Sequence, residues 1–183
     1  PAGAELPLFG STADVVSAAT PLHDMVMPAL PAASPADMLL GNIGGCIGEV
    51  SALALLIGGA ILLGRKVISW RIPAAYLGTV AFLTLVFYKG EDPVAWMLYS
   101  LLGGGVMLGA LFMATDYATS PALPAAQLVY GVGCGALTVL FRYFGLYPEG
   151  VTYAILLMNA CAWALDKALP PVRFGAEIGR AHV

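Results

Sequence analysis

Charged side chains are scarce in this sequence of 183 residues, in which Asp, Glu, Lys and Arg make up 10% and apolar residues 60%. Soluble domains carry roughly 25% charged residues, so this chain has too few ionic groups to cover a water-facing surface. Its 8 Lys and Arg do not supply the basic face of a nucleic-acid binder. Its 3 cysteines are too few and too scattered for a disulfide-stapled secreted module. The composition therefore predicts an integral membrane protein that lies in a lipid bilayer.

Long apolar runs predict an all-α, polytopic fold with about five transmembrane helices. The runs end at charged or proline-containing loops, which places the spans at about 49–64, 72–88, 95–114, 124–144 and 150–169. Two groups of glycines at helical spacing predict close approach of neighbouring helices, namely residues 103–105 with Gly109, and Gly131, Gly133 and Gly135. Five aromatic residues near span ends are interpreted as interface anchors: Trp70, Tyr88, Trp96, Tyr143 and Tyr147.

The chain divides into four predicted segments. Residues 1–35 are rich in proline and form an extramembrane segment, which ends where Ser34 and Pro35 supply a helix start. Residues 36–48 carry enough glycine for a broken or re-entrant half-helix, and residues 49–176 form the membrane domain. Residues 177–183 resemble a translated sequencing adapter and are excluded; the start at Pro1 without a Met predicts the C-terminal part of a longer protein.

Lysine and arginine placement predicts the orientation. If the loop after the first span is cytoplasmic, five Lys or Arg residues lie inside and two outside: Arg65, Lys66, Arg71, Lys167 and Arg173 against Lys89 and Arg142. This topology puts residues 1–35 and the loops near 90 and 147 on the extracytoplasmic side.

The segment 14–20 (DVVSAAT) offers an exposed threonine hydroxyl beside small residues. A turn capped by Asp14 or Ser17 is one interpretation. The segment also resembles the flavinylation motif, Ser-Gly-Ala-Thr after an acidic residue, of the D subunit of Rnf-type ion-translocating ferredoxin:NAD oxidoreductases. The related B subunit of the sodium-translocating NADH:quinone reductase carries the same motif. Ala18 stands where the family has glycine.

The resemblance covers nearly the whole chain, with small departures at Ala126 and Ala164. It rests on further segments in the family's order: 41–54 with its Gly-Glu-Val-Ser-Ala-Leu, 68–73 (ISWRIP), 113–121 (MATDYATSP), Arg142, 147–151 (YPEGV), 154–159 (AILLMN) and Asp166.

The resemblance implies a covalent FMN and a place in a complex. A flavin transferase would attach FMN to Thr20 as a phosphoester, with Asp14 and Ser17 as part of the motif. The chain would be a multi-pass subunit of a prokaryotic cytoplasmic membrane complex, with Thr20 on the extracytoplasmic side, and would relay electrons coupled to Na⁺ or H⁺ movement. The full-length protein could hold a second, non-covalent flavin, and the isolated segment would be inactive. Arg142 is either a flavin-phosphate contact or a snorkelling helix-end residue.

Four carboxylates at span edges are candidate ion ligands, because ionisable groups at membrane depth are costly unless paired or hydrated. Asp116 and Asp166 would form an inner access point, and Glu49 and Glu149 an outer one. Interfacial caps that mark the topology are the alternative interpretation of each.

No phosphate-binding loop, dinucleotide fingerprint or catalytic triad is present in the sequence. The cysteines lack a CxxC pair and are interpreted as packing residues, so we assign no catalytic or metal-binding residue, and redox chemistry must come from a cofactor. A secondary transporter without redox function is the competing interpretation, because its sites are also built from broken helices and carboxylates. An assembly scaffold is a third, if Ala18 blocks flavinylation.

Overall fold

The computed structural model describes residues 34–41, 50–90, 92–103, 105–145 and 150–169. These residues form helices joined by short loops, and no strand occurs among them, which agrees with the predicted all-α class. The α-helices are α1 (Pro35–Leu40), α2 (Ala52–Gly64), α3 (Arg71–Val86), α4 (Pro93–Leu102), α5 (Val106–Leu108), α6 (Pro124–Phe144) and α7 (Val151–Ala168). A π-helical turn, Gly109–Met113, continues α5.

Helix α1 begins where the sequence predicted. The Ser34 hydroxyl accepts a hydrogen bond from the Asp37 amide, and Pro35 occupies the first turn, where its missing N–H costs nothing. The helix ends at Gly41, whose φ of 92° is a left-handed conformation that glycine adopts cheaply. The rest of the glycine-rich stretch, residues 42–49, lies outside the described residues.

The third predicted span, 95–114, is not one continuous helix. Helix α4 ends at Gly103, Gly105 has a φ of 67°, and the helical segment that follows is bent by 63° relative to α4. The predicted span did not include this break, which arises because a left-handed residue interrupts the helical ladder. The predicted close approach of helices holds at Gly109, where an added Cβ atom would overlap the side chain of Val151 on α7.

One helix in the described part of the chain, α6, is both long and apolar enough to cross a bilayer without interruption. The bent pair Pro93–Leu102 and Val106–Met113 passes the same test if it counts as one broken span. Helices α2 and α3 are apolar but have only 13 and 16 residues. The predicted count of five spans is therefore not confirmed.

The core forms where α6 packs between α3 and α7. A Cβ atom on Gly131 would lie 2.7 Å from the Cβ of Ala75, and one on Gly135 would lie 2.9 Å from the carbonyl oxygen of Tyr76. The two glycines are four residues apart and share one face of α6, so they let the backbones of α3 and α6 approach closely. The glycine spacing predicted this contact correctly.

Large apolar side chains also point outward from the helices. Phe82, Leu156 and Trp163 are all exposed by more than half of their surface. A soluble monomer rarely exposes so much apolar surface, which indicates that lipid or other protein chains cover these faces.

The loops gather at two ends of the bundle. Residues of the 63–72 segment and of the 115–127 segment line one common cavity. At the other end, Lys89 lies over the ring of Tyr143, which also accepts a hydrogen bond from Trp96. Loops that the sequence assigns to opposite sides of the membrane thus lie at opposite ends of the bundle, and which end faces the cytoplasm stays a prediction.

We expect Gly135→Ala to lower the free energy of unfolding by about 1–3 kcal/mol, because the added methyl overpacks the α3–α6 contact. Gly78→Ala is the matched control, since a Cβ atom added at Gly78 would meet nothing within 4 Å. It should be neutral or slightly stabilising. Equal unfolding free energies for the two variants in detergent would contradict the proposed contact.

Candidate functional site

Five of the predicted site residues cannot be located, because Asp14, Ser17, Thr20, Glu49 and Glu149 lie outside the described residues. The described candidates are therefore Arg142, Asp116 and Asp166. They lie at opposite ends of the bundle, Arg142 at the end of α6 and the two aspartates near its beginning.

Arg142 holds the end of α4. Its Nη1 donates to the carbonyl oxygen of Ser100 at 2.6 Å, and its Nη2 donates to that of Gly103 at 2.9 Å. The last carbonyls of a helix have no partner within the helix and carry partial negative charge. The guanidinium thus satisfies acceptors at the point where the chain breaks after α4, a structural role that neither sequence interpretation included. Contact with a flavin phosphate stays a prediction.

An aromatic cluster, which we call the Trp96 cluster, lies at the same end of the bundle. Trp96 is only 1% exposed, and its Nε1 donates to the Tyr143 hydroxyl at 3.0 Å. Met38 of α1 packs against Trp96 and Tyr99, and the ammonium of Lys89 lies 4.5 Å from the centroid of the Tyr143 ring. The cluster therefore fixes α1 at this end of the bundle.

Trp96 is not the exposed interface anchor that the sequence predicted, because it is buried in this cluster. Trp70 and Tyr88 are exposed, as an interface position requires. The periodicity of a short helix does not show which aromatic residue is covered by another segment.

Asp166 anchors the beginning of α6. Its Oδ2 accepts from the amide of Ala122 at 3.1 Å, and its Oδ1 accepts from that of Leu123 at 3.2 Å. A carboxylate at this position satisfies two backbone donors and interacts favourably with the positive end of the helix dipole. Asp166 therefore ties the end of α7 to the start of α6.

Asp116 lies in the loop that leads to α6 and is exposed. Its Oδ2 accepts from the Thr119 hydroxyl at 3.0 Å, and its backbone carbonyl accepts from the Ser120 amide at 3.1 Å. Asp116 thus lies within the loop that leads to α6, whereas Asp166 lies on α7 and contacts the end of that loop. Their role as ion ligands stays a prediction.

Two buried polar pairs cross the helix interfaces and were missed at the level of sequence. The Tyr76 hydroxyl lies 2.7 Å from Thr138 Oγ1, between α3 and α6. The Tyr130 hydroxyl donates to Asn159 Oδ1, between α6 and α7. The polar positions 130, 134, 138 and 142 follow at intervals of four along α6, a periodicity that indicates one inward polar stripe. Buried polar groups require such partners, so these pairs set the rotation of α6.

Comparison with known proteins finds a match to the NQR2, RnfD, RnfE family model over residues 3–175. The D subunit of the Na⁺-translocating ferredoxin:NAD⁺ oxidoreductase complex from Acetobacterium woodii is 47% identical over 80% of this chain and 48% of its own length. The D subunit of the proton-translocating complex from Clostridium ljungdahlii is 44% identical over 76% and 43%. The D subunit of an ion-translocating oxidoreductase complex from Stutzerimonas stutzeri is 38% identical over 91% and 50%. The chain spans about half the length of these curated relatives.

We expect Asp166→Ala to lower the free energy of unfolding by about 1–2 kcal/mol, because the amides of Ala122 and Leu123 lose their acceptor. Asp116→Ala removes an equal charge from an exposed position and should change it by less than about 0.5 kcal/mol. Denaturation of the detergent-solubilised protein measures both. A larger loss for Asp116→Ala than for Asp166→Ala would refute the anchoring role.

Proposed function

Because the chain belongs to the NQR2, RnfD, RnfE family, we propose that it is the FMN-carrying part of the D subunit in an ion-translocating ferredoxin:NAD⁺ oxidoreductase complex of a prokaryotic cytoplasmic membrane. In this role it relays electrons between neighbouring subunits, and the relay is coupled to movement of Na⁺ or H⁺. The activity belongs to the assembled complex.

The observation that carries the proposal is the extent of the similarity. An identity of 47% covers 160 residues of a D subunit whose complex is named for Na⁺ translocation and ferredoxin:NAD⁺ oxidoreduction. The described structure adds an all-helical core with outward-facing apolar side chains, which suits a subunit embedded in lipid and packed against partner subunits.

Thr20 is the proposed point of flavin attachment. A flavin transferase would break the phosphoanhydride of FAD, join the FMN phosphate to the Thr20 oxygen as a phosphoester and release AMP, which takes up the hydroxyl proton. Asp14 and Ser17 complete the recognised segment. When bound, the flavin supplies redox chemistry that no side chain of the chain provides. Ala18 is the position at which the motif departs from the family. If flavin attachment requires a positive φ there, glycine would be favoured over alanine.

Two cations at one end of the bundle fit an anionic group near this segment. Lys89 is exposed beside Tyr143, and Arg142 is half-buried one residue earlier along α6. Helix α1 reaches the same end through Met38. This arrangement supports attraction of a phosphate group by the positive charges of Lys89 and Arg142. Lys89 would make the direct contact, because Nη1 and Nη2 of Arg142 already donate to the carbonyl oxygens of Ser100 and Gly103.

The proposal covers either Na⁺ or H⁺ as the coupling ion. The relatives from Acetobacterium woodii and Clostridium ljungdahlii are named for Na⁺ and for protons, yet they are 47% and 44% identical to the chain, so overall identity does not discriminate between the ions. We propose Asp116 as the inner ion ligand in preference to Asp166, because both Asp166 oxygens already accept backbone amides. Glu49 and Glu149 remain the proposed outer ligands.

A secondary transporter without a flavin is the second candidate. The break between α4 and α5 favours it, because discontinuous helices line substrate sites in such carriers. Such a carrier needs no flavin, so the presence or absence of a covalent flavin distinguishes the two functions.

We expect one covalent FMN per chain when the full-length protein is coexpressed with a flavin transferase. In-gel flavin fluorescence after denaturation should be present in the wild type, absent in Thr20→Val and at least as strong in Ala18→Gly. Thr20→Val replaces the hydroxyl with a methyl of similar size, so it removes the nucleophile and keeps the size of the side chain.

Thr12 is the matched control, because it is a threonine of the same segment outside the motif. Thr12→Val should keep full fluorescence. Fluorescence that persists in Thr20→Val would overturn the attachment site. Its absence from both wild type and Ala18→Gly would favour the transporter.

A further inference from the structure

A cavity of about 610 Å³ with both apolar and polar lining lies at the end of the bundle where α2 ends and α3 begins. Its wall comes from the 63–72 segment on one side and from the 115–127 segment on the other. Leu63, Val67 and Ile68 line part of it with apolar surface, whereas the hydroxyl-bearing residues Ser69 and Thr115 line another part. An amphipathic ligand at the membrane surface would meet both kinds of lining.

Two cations, Lys66 and Arg71, also line the cavity, and no carboxylate is among its described lining residues. The Arg71 guanidinium lies near the cavity residues Ser69 and Trp70, with its Nη1 3.4 Å from Ser69 Oγ and its centre 5.9 Å from the Trp70 ring centroid. A cavity lined by two positive charges and by no carboxylate attracts anions, and the nearby Asp116 is outside its lining.

Lys66 occupies a backbone position that normally belongs to glycine. The amide of Val67 donates to the carbonyl of Leu62, and the amide of Lys66 donates to that of Leu63, the paired bonds that close a helix in the Schellman motif. Lys66 has a φ of 55°, and it is the one residue other than glycine with positive φ in the described part of the chain. A side chain is unfavourable in this conformation. The chain nevertheless places a lysine there, in the lining of the cavity.

The side-chain oxygen of Gln127 is a hydrogen-bond acceptor that no described group donates to. Its Nε2 donates to the carbonyl of Pro121 at 3.1 Å, but its buried Oε1 has no hydrogen-bond partner among the described residues. Leaving a buried acceptor unpaired is costly. Because this oxygen has almost no accessible surface, a hydroxyl of a bound ligand would satisfy it once the Gln127 side chain turns toward the cavity that the residue lines.

We propose that this cavity binds a phosphate group that carries free hydroxyls, with Lys66 and Arg71 on the phosphate and Gln127 accepting from a hydroxyl. The headgroup of phosphatidylglycerol has this chemistry, and a soluble glycerol phosphate shares it. The apolar lining favours the lipid. The site is independent of the proposed flavin at Thr20, so failure of either proposal leaves the other standing.

Native mass spectrometry of the delipidated full-length protein in detergent tests the proposal. Dioleoylphosphatidylglycerol should bind about tenfold more tightly than dioleoylphosphatidylcholine, whose choline lacks a hydroxyl and adds a positive charge. Lys66→Gly should weaken phosphatidylglycerol binding about tenfold, as expected for loss of one charge-assisted contact. Glycine suits the backbone at this position, so the thermal midpoint of this variant should be unchanged or higher.

Lys167→Gln is the charge-matched control, because Lys167 lies on α7 over Trp163, outside the cavity lining. It should bind phosphatidylglycerol as the wild type does, whereas Arg71→Gln should bind as weakly as Lys66→Gly. Competition by glycerol 1-phosphate would identify a soluble ester as the occupant, and lack of competition would identify the lipid; both support the site. Wild-type affinity in Lys66→Gly, or equal affinity for the two lipids, would overturn it.

Discussion

The close contact between α3 and α6 is the constraint on which the described structure depends. Gly131 and Gly135 leave no side chain between the two helices, so the backbone of α6 approaches Ala75 and Tyr76 directly. Van der Waals contact of this kind is the main source of helix association in a bilayer, where apolar side chains gain little by leaving lipid. The Tyr76–Thr138 hydrogen bond adds direction to the contact, because it fixes how α6 is rotated against α3.

Helix α6 is also tied at both of its ends to other helices. Asp166 of α7 accepts from two amides just before the start of α6. Arg142, in the last turn of α6, donates to the last carbonyls of α4. Each charge lies at a backbone terminus of the opposite partial charge. The sequence made Asp166 a candidate for ion binding and Arg142 a candidate for flavin binding. A charged residue at the end of an apolar run can be a structural anchor or a functional ligand, and the sequence does not distinguish the two. At the end of the bundle near Arg142, this framework holds the Trp96 cluster and α1.

The sequence predicted those features that depend on local chemistry or on a strict period. Composition predicted the membrane class, Ser34 and Pro35 predicted the start of α1, and the glycines of α6 predicted its close contact. It did not predict the break after α4, because glycines that pack helices and glycines that end helices look alike until φ is known. It also missed Trp96, Lys66 and Arg142 in their observed roles. The partners of Trp96 and Arg142 lie on other helices, and the role of Lys66 depends on a backbone conformation that no propensity favours.

The central claim is that the chain carries a flavin on Thr20, and peptide mapping by mass spectrometry of the subunit isolated from its native complex tests it most directly. We expect the proteolytic peptide containing residues 14–20 to carry the mass of one FMN less one water, with fragment ions that locate the phosphoester on Thr20. The same peptide recovered entirely unmodified from a catalytically active complex would contradict it.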